Sequence, residues 1–352
     1  MPADAIQKTQ FASDNTAGMC PEVMEAYVRA NSGSLPSYGD DALTARATDK
    51  FREVFETDCD VFFVFNGTAA NALALAACCQ SYHSFICHEH AHILTAECGA
   101  PEFFSNGAKV LGAPGVNGKL TPVSIASIAD KCVDIHYHKP RVVSLTQCTE
   151  LSTVYQLKEL AEIREATDRF KLLTHMDGAR FANSIASLNV APKTVTWQAG
   201  VKVLTFGGTK LGMASTEAVI FFDRNLSFEF EYRLKQAGQL ASKMRFHAAA
   251  WLAMLENGVW LKHAQHANRC AAQLAARLKK EADLSPAVPV DANGVFLNLP
   301  PAFEQALHDR GWVFHSFPGN TWRFMCSWQT TEADIDAFVA DVVEIQKTGL
   351  SQ

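Results

Sequence analysis

Two apolar runs of strand character each end in a short polar signature, which constrains the fold more than any other feature of the chain. Phe170 to Met176 runs into Asp177-Gly178-Ala179-Arg180, and Val201 to Phe206 runs into Gly207-Gly208-Thr209-Lys210. In a parallel sheet both would deliver their polar residues to one carboxyl edge, where open α/β sheets bind ligands. The flanking pattern agrees. Val61 to Phe65 reads as a buried strand, followed by Asn66-Gly67-Thr68 and the helix former Ala69 to Cys79. Ser84 to Cys87, Lys109 to Leu111 and Arg141 to Thr146 are further strands, and Leu157 to Thr167 has helical spacing. Strands alternating with helices imply an α/β fold with a mainly parallel sheet covered on both faces.

The 352 residues are too many for one simple core and suit two domains. Residues 1–20 are polar and aperiodic, and are expected to form an N-terminal arm. Residues 21–250 form the expected large domain and residues 251–352 a smaller C-terminal α+β domain. Helical pattern from Gln236 to Glu281 joins the two, broken at Gly238 and Asn257-Gly258. Beyond it come strand Gly294 to Leu299, helix Ala302 to Arg310, strands Trp312 to Phe317 and Trp322 to Trp328, and helix Thr331 to Gln346. Thr331 and Asp334 form a capping pair at the start of that last helix.

A net charge of −6 offers no attraction to nucleic acid or anionic membrane, so neither is an expected partner. Met1 to Phe11 lacks a basic-then-apolar signal pattern and no apolar stretch reaches membrane length, so the expected compartment is the cytoplasm. The ten cysteines are scattered and include no C-x-x-C pair, which favours reduced thiols over a disulfide framework.

A lysine in a loop is usually a solvated surface charge. Lys210 follows a buried strand and two glycines, which makes a desolvated, nucleophilic amine the better reading. Asp177 either caps the helix that follows or faces a ligand from the sheet edge. Arg180 could pair with Asp177, orient a cofactor oxygen or bind a substrate carboxylate. The run Asn66-Gly67-Thr68 before a helix start is an anion site that matches neither a P-loop nor a G-x-G-x-x-G pattern. An acid to hold a pyridinium nitrogen, an amine to form a Schiff base and a phosphate cradle together point to pyridoxal phosphate (PLP).

Arg323 lies within an apolar strand, so it needs an anion: a substrate carboxylate, or an internal acid the sequence does not name. His88, His90 and His92 alternate and, on a strand, would share a face. That face raises a distant alternative, a metal-dependent hydrolase. No carboxylate or cysteine partner stands at metal spacing, so no metal is expected. A satisfied or solvated cluster is the simpler account of His88 and His90. An imidazole at His92 could instead stack on a cofactor ring.

The segments His175-Met176-Asp177-Gly178-Ala179-Arg180 and Gly207-Gly208-Thr209-Lys210 resemble the signatures of the low-specificity L-threonine aldolases, in the bacterial branch that includes phenylserine aldolases. Similarity extends to Ser13-Asp14, Tyr38-Gly39-Asp40-Asp41, Asn66-Gly67-Thr68, Glu97-Cys98-Gly99-Ala100, Asp134-Ile135-His136 and Arg323. The resemblance implies the PLP-dependent transferase-like fold (fold type I) and a homotetramer with sites at subunit interfaces. It implies an aldehyde-lyase that cleaves β-hydroxy-α-amino acids to glycine and an aldehyde. A PLP-dependent β-eliminating lyase, racemase or aminotransferase is the alternative.

By the same resemblance, Lys210 is the Schiff-base lysine, Asp177 the ring-nitrogen partner and His92 the stacking ring. Gly67, Thr68 and Thr209 form the phosphate cradle. Ser13, Arg180 and Arg323 hold the substrate carboxylate, and His92 and His136 stand near the β-hydroxyl. Tyr38, Arg233 and Lys235 resemble positions that reach a neighbouring subunit's site. Two departures stand out: His88 and His90 are not features of the family, and Leu211 stands where relatives often carry Asn.

Overall fold

A computed structural model describes residues 7–317 and 321–347. Among the described residues there are ten strands: β1 (Asp60–Val64), β2 (His83–His88), β3 (Lys109–Ala113), β4 (Lys139–Thr146), β5 (Leu173–Gly178), β6 (Val201–Gly207), β7 (Glu217–Phe221), β8 (Gly294–Asn298), β9 (His315–Phe317) and β10 (Thr321–Met325). The first seven form one sheet in the order β1-β7-β6-β5-β4-β2-β3. Only β7 runs against the others, pairing antiparallel with both β1 and β6. The last three form a separate antiparallel sheet, β8-β10-β9.

The large sheet is covered on both faces, as its near-continuous apolar strands require. Helix Gly67–Cys78, from Ala70 to Cys78 buried almost throughout, covers one face above Phe85 and Phe221. On the other face Phe206 of β6 meets Phe51, Phe181, Trp251 and Trp260, with ring centroids 5.0 to 6.2 Å apart. Tilted and edge-to-face rings pack densely and hold β6 in place, and with it the loop that carries Lys210.

Most expected elements are present with shifted ends. Phe170, expected in a strand, is the last residue of helix Leu157–Phe170. The helical stripe Leu160, Ile163 and Thr167 is buried, and Lys171 ends the helix at φ 54° before β5 begins at Leu173. The expected strand from Trp312 shortens to β9, and the one from Trp322 to Trp328 ends at Met325. The helical stretch from Gln236 divides into Arg245–Leu255 and Val259–Ala282, preceded by a turn around Gly238. Position 250 lies inside the first of these, and the second passes from the large core at Trp260 and Ala264 into the small one at Leu274 and Leu278. Thr331 and Asp334 do form the reciprocal cap.

The N-terminal segment is more than a polar lead-in. Phe11 is fully buried in the core of the small sheet, beside Trp312 and Phe338. Backbone bonds from Met325 N–H to Phe11 O (2.9 Å) and from Lys8 N–H to Gly311 O (2.8 Å) seat it there. All ten cysteines are free, and eight are buried. Among the described residues no helix is long and apolar enough to cross a membrane.

Gly207 ends β6 where a side chain has no room: a Cβ would lie 2.4 Å from the Ala179 carbonyl oxygen. Gly207→Ala must push β6 from β5, and such overpacking costs about 1–3 kcal/mol. The expected result is a lower urea midpoint at unchanged denaturant slope, read by tryptophan fluorescence.

Candidate active site

The strand ends converge as the parallel order requires. In register, Thr146 of β4, Asp177 of β5 and Thr205 of β6 lie side by side at the carboxyl edge. Asp177 is buried; its Oδ1 accepts from Ala179 N–H (2.9 Å) and its Oδ2 from the Asn71 amide (2.8 Å). It does not cap the following helix Phe181–Leu188, whose N-cap position is Arg180. Asn71 lies on helix Gly67–Cys78 and spends its whole amide: one N–H on Asp177, one on Glu97 (2.9 Å), and its oxygen on the Thr205 hydroxyl (2.8 Å).

Glu97 extends the chain of contacts to His92, whose Nδ1 is 2.8 Å from the same carboxylate. That hydrogen bond outweighs the opposing effect of burial and raises the His92 pKa, with Asp177 adding to it. Burial raises the Glu97 pKa in turn, against the pull of His92. Glu150 anchors the short helix His92–Thr95: its Oε1 accepts from His92 N–H (3.0 Å) and from the Thr146 hydroxyl (2.8 Å). Burial, with Asp177 nearby, pushes its carboxyl up to about 7.

Lys210 sits in a single turn, Thr209–Leu211, closed by Gly212 at φ 116°. Beneath it the buried Glu217 of β7 accepts from Gly208 N–H (2.6 Å). Burial lifts the Glu217 carboxyl to about 7, although the Lys210 charge pulls it down. The glycines before Lys210 serve packing first, since a Cβ on Gly208 would lie 2.4 Å from Thr216 O. Leu211 is buried and lines a small void with His263 and Trp328.

The two arginines differ in what they hold. Arg180 makes a fork to Asp14, with Nε to Oδ2 at 2.6 Å and Nη2 to Oδ1 at 2.9 Å; its partner is not Asp177. Burial works to raise the Asp14 pKa, but the Arg180 charge prevails and holds it down. Among the described residues Arg323 makes no ion pair, and its buried Nε has no hydrogen-bond partner. Burial and the repulsion of Arg180 push its pKa down to about 10. A guanidinium in that state is a site for an anion from outside.

These groups line one cavity of about 430 Å³, in the range of small-molecule pockets. Ser13, Gly67, Asn71, His92, Glu97, Glu150, Asp177, Arg180, Lys210 and Arg323 all face it. Gly67 opens helix Gly67–Cys78, which Asn66 caps by accepting from Ala69 N–H (2.9 Å). Thr68 and Thr209 stand next to lining residues, and the Thr209 hydroxyl accepts from Thr216 N–H (3.4 Å).

His136 is exposed on the 131–138 loop, bonded through its N–H to Asp134, and is not brought to the cavity within this chain. Tyr38, Arg233 and Lys235 also lie apart from it, with the Lys235 ammonium 4.8 Å from the Tyr38 ring centroid.

The three alternate histidines share no strand face. β2 ends at His88, His90 lies in the turn, and His92 begins a helix. Both ring nitrogens of His88 are taken, by Gly115 O (2.9 Å) and His90 N–H (3.1 Å). That removes the face on which the metal-hydrolase alternative rested. Asn71, Glu150, Glu217 and Asp14 had no role in the sequence reading. Asn71 carried a signal as a polar residue in an otherwise apolar helix, and Asp14 through the Ser13-Asp14 segment of the resemblance.

An amine, a carboxylate at the sheet edge, a helix start and an unpaired guanidinium fit PLP together with an amino acid carboxylate. The fold is that of the fold-type I PLP enzymes. The profile of the beta-eliminating lyase family matches residues 10–300. A low specificity L-threonine aldolase of Pseudomonas sp. (strain NCIMB 10558) is 55% identical over 337 residues, 96% of this chain and 97% of the relative. One from Pseudomonas aeruginosa is 57% identical over 334 residues, 95% of this chain and 96% of the relative. The threonine aldolase structure of Leishmania major superposes with a TM-score of 0.90 at 26% identity, covering 96% of this chain and 99% of the other. The chain belongs to the beta-eliminating lyase family and, within it, to the low-specificity L-threonine aldolases.

Two measurements probe the buried carboxyls. Between the usual 4.5 and about 7, folded Glu217 keeps a proton that the unfolded chain releases. Stability from this group therefore falls as pH rises through that window and is level above it. Glu217→Gln should flatten that fall, read as urea midpoints from pH 4.5 to 8. Asn71→Leu strands the acceptors on Asp177 and Glu97, at about 1–3 kcal/mol for each buried group, and a lower melting temperature should show it.

Proposed function

We propose that this chain is a PLP-dependent aldolase that cleaves β-hydroxy-α-amino acids of the L-threonine, L-allo-threonine and phenylserine type to glycine and an aldehyde. The observation that carries the reading is Arg323, its buried Nε without a partner among the described residues, in one cavity with Asp177 and Lys210. Lys210 would hold the cofactor's carbonyl carbon, Asp177 its ring nitrogen and His92 its ring face. The helix start at Gly67, with Thr68 and Thr209, would take its phosphate. Bound there, PLP supplies an electron sink for the bond broken at the substrate α-carbon.

The protein's share is orientation and proton handling. Arg323, with Ser13 beside it, receives the substrate carboxylate and so fixes which bond of the α-carbon is presented for cleavage. Arg180 is already committed to Asp14, so its part is to shape the wall and repel cations. His92 donates from Nδ1 to Glu97, which leaves Nε2 as the atom that accepts the β-hydroxyl proton. Asn71 keeps Asp177 and Glu97 close together without direct repulsion between unsupported charges. The enzyme works as a cytoplasmic homotetramer in which Tyr38, Arg233, Lys235 and His136 serve a neighbouring subunit's site. β-Elimination is the second reading, favoured by the family's own name. Pyruvate and ammonia, in place of glycine and aldehyde, would identify it.

Lys210→Ala should lose both the visible absorption band of the lysine-bound cofactor and aldehyde release from L-threonine, L-allo-threonine and L-phenylserine. A persisting band overturns the lysine assignment. Wild-type protein that carries the band but releases no aldehyde overturns the aldolase. Arg323→Gln should lower kcat/KM by roughly 10- to 100-fold, the range of a charged hydrogen bond, mainly through KM.

A further inference from the structure

Away from the cavity, three side chains with metal-ligating atoms meet between two helices, Cys20 and His263 buried and Glu22 partly exposed. Cys20 stands at the N-cap of helix Pro21–Ala30, Glu22 lies in its first turn, and His263 comes from helix Val259–Ala282. Their ligand atoms all lie within 4.8 Å of one another. Cys20 is fully buried and His263 nearly so. His263 Nε2 lies 3.2 Å from Glu22 Oε2, and Cys20 Sγ lies 3.7 Å from Met254 Sδ.

Those two separations match two of the six edges of a tetrahedral site. Zinc bonds of about 2.0–2.1 Å to nitrogen or oxygen give an edge of roughly 3.3 Å, and bonds of about 2.3 Å to sulfur give roughly 3.8 Å. We propose that Cys20, Glu22 and His263 bind a zinc ion, with the Met254 thioether at the fourth position. Thiolate, imidazole, carboxylate and thioether are a donor set for a borderline-soft ion, and the sulfur atoms disfavour Mg2+ and Ca2+. On binding, the Cys20 S–H bond breaks, its proton passes to solvent, and sulfur uses the released pair to bind zinc. The thiolate and the Glu22 carboxylate then balance the two positive charges.

The position gives the ion structural work. Cys20 N–H donates to Gly212 O (2.8 Å), the turn that closes the Lys210 loop, and His263 borders the same small void as Lys210. Zinc would therefore join the two helices directly behind the lysine. No sequence pattern announces such a site, because Cys20 and Glu22 are separated from His263 by most of the chain.

The test uses tag-free, cofactor-loaded enzyme incubated with Zn2+, dialysed, and analysed for metal by mass spectrometry. Wild type should retain one zinc per chain, and Cys20→Ser and His263→Asn should each lose it while keeping the visible cofactor band. Zinc-edge X-ray absorption of the wild type should show a sulfur neighbour at about 2.3 Å. This second readout decides the matter alone if the variants do not fold. No retained zinc, retention unchanged in Cys20→Ser, or a shell of nitrogen and oxygen only overturns the proposal. None of these outcomes depends on which reaction the cavity catalyses.

Discussion

Two carboxylates, Asp177 and Glu97, share one side-chain amide, and most of the cavity is arranged around that sharing. Asn71 donates to both and is itself fixed by the Thr205 hydroxyl. Buried like charges repel strongly when nothing intervenes. Here each is given a donor, so both can stand near the sheet edge, where one faces the cavity floor and the other steers His92. The amide comes from helix Gly67–Cys78, whose own first turn faces the same cavity. One rigid element therefore sets the acid, the histidine and the anion-binding end together.

The opposite wall obeys a contrasting rule. Arg180 is held by Asp14, whereas Arg323 has no ion-pair partner among the described residues. A paired guanidinium is a structural part, and an unpaired one in a confined place is a receptor for an anion. The two arginines repel each other, which sharpens the need of the free one. The proposed recognition of a substrate carboxylate draws on this contrast between the two arginines.

Much of this was legible in the sequence because local patterns determine it. Asp177 and Lys210 end buried strands, and strand ends at one edge of a parallel sheet converge whatever the rest of the chain does. Arg323 was conspicuous as a charge among apolar neighbours. What escaped depends on partners far apart in the chain. Asp14 with Arg180, Asn71 with Glu97 and Asp177, and Glu150 with the backbone of His92 are each set by topology. β7 was missed because an antiparallel strand interrupts the strand–helix alternation that guided the reading. The histidine run misled for a related reason: alternation places side chains on one face only while the strand continues, and β2 ends at His88.

The seating of the N-terminal segment bears on how the molecule is made. Phe11 enters a core built from the last strands and the final helix, and Asp14 reaches Arg180 from there. During synthesis the segment emerges long before the strands that seat it, and its binding place exists only after β10 has been added. Contacts of such separation are slow to form, because a long loop must be closed before they are made. A chain lacking β10 therefore loses both part of the core that seats Phe11 and the strand that carries Arg323.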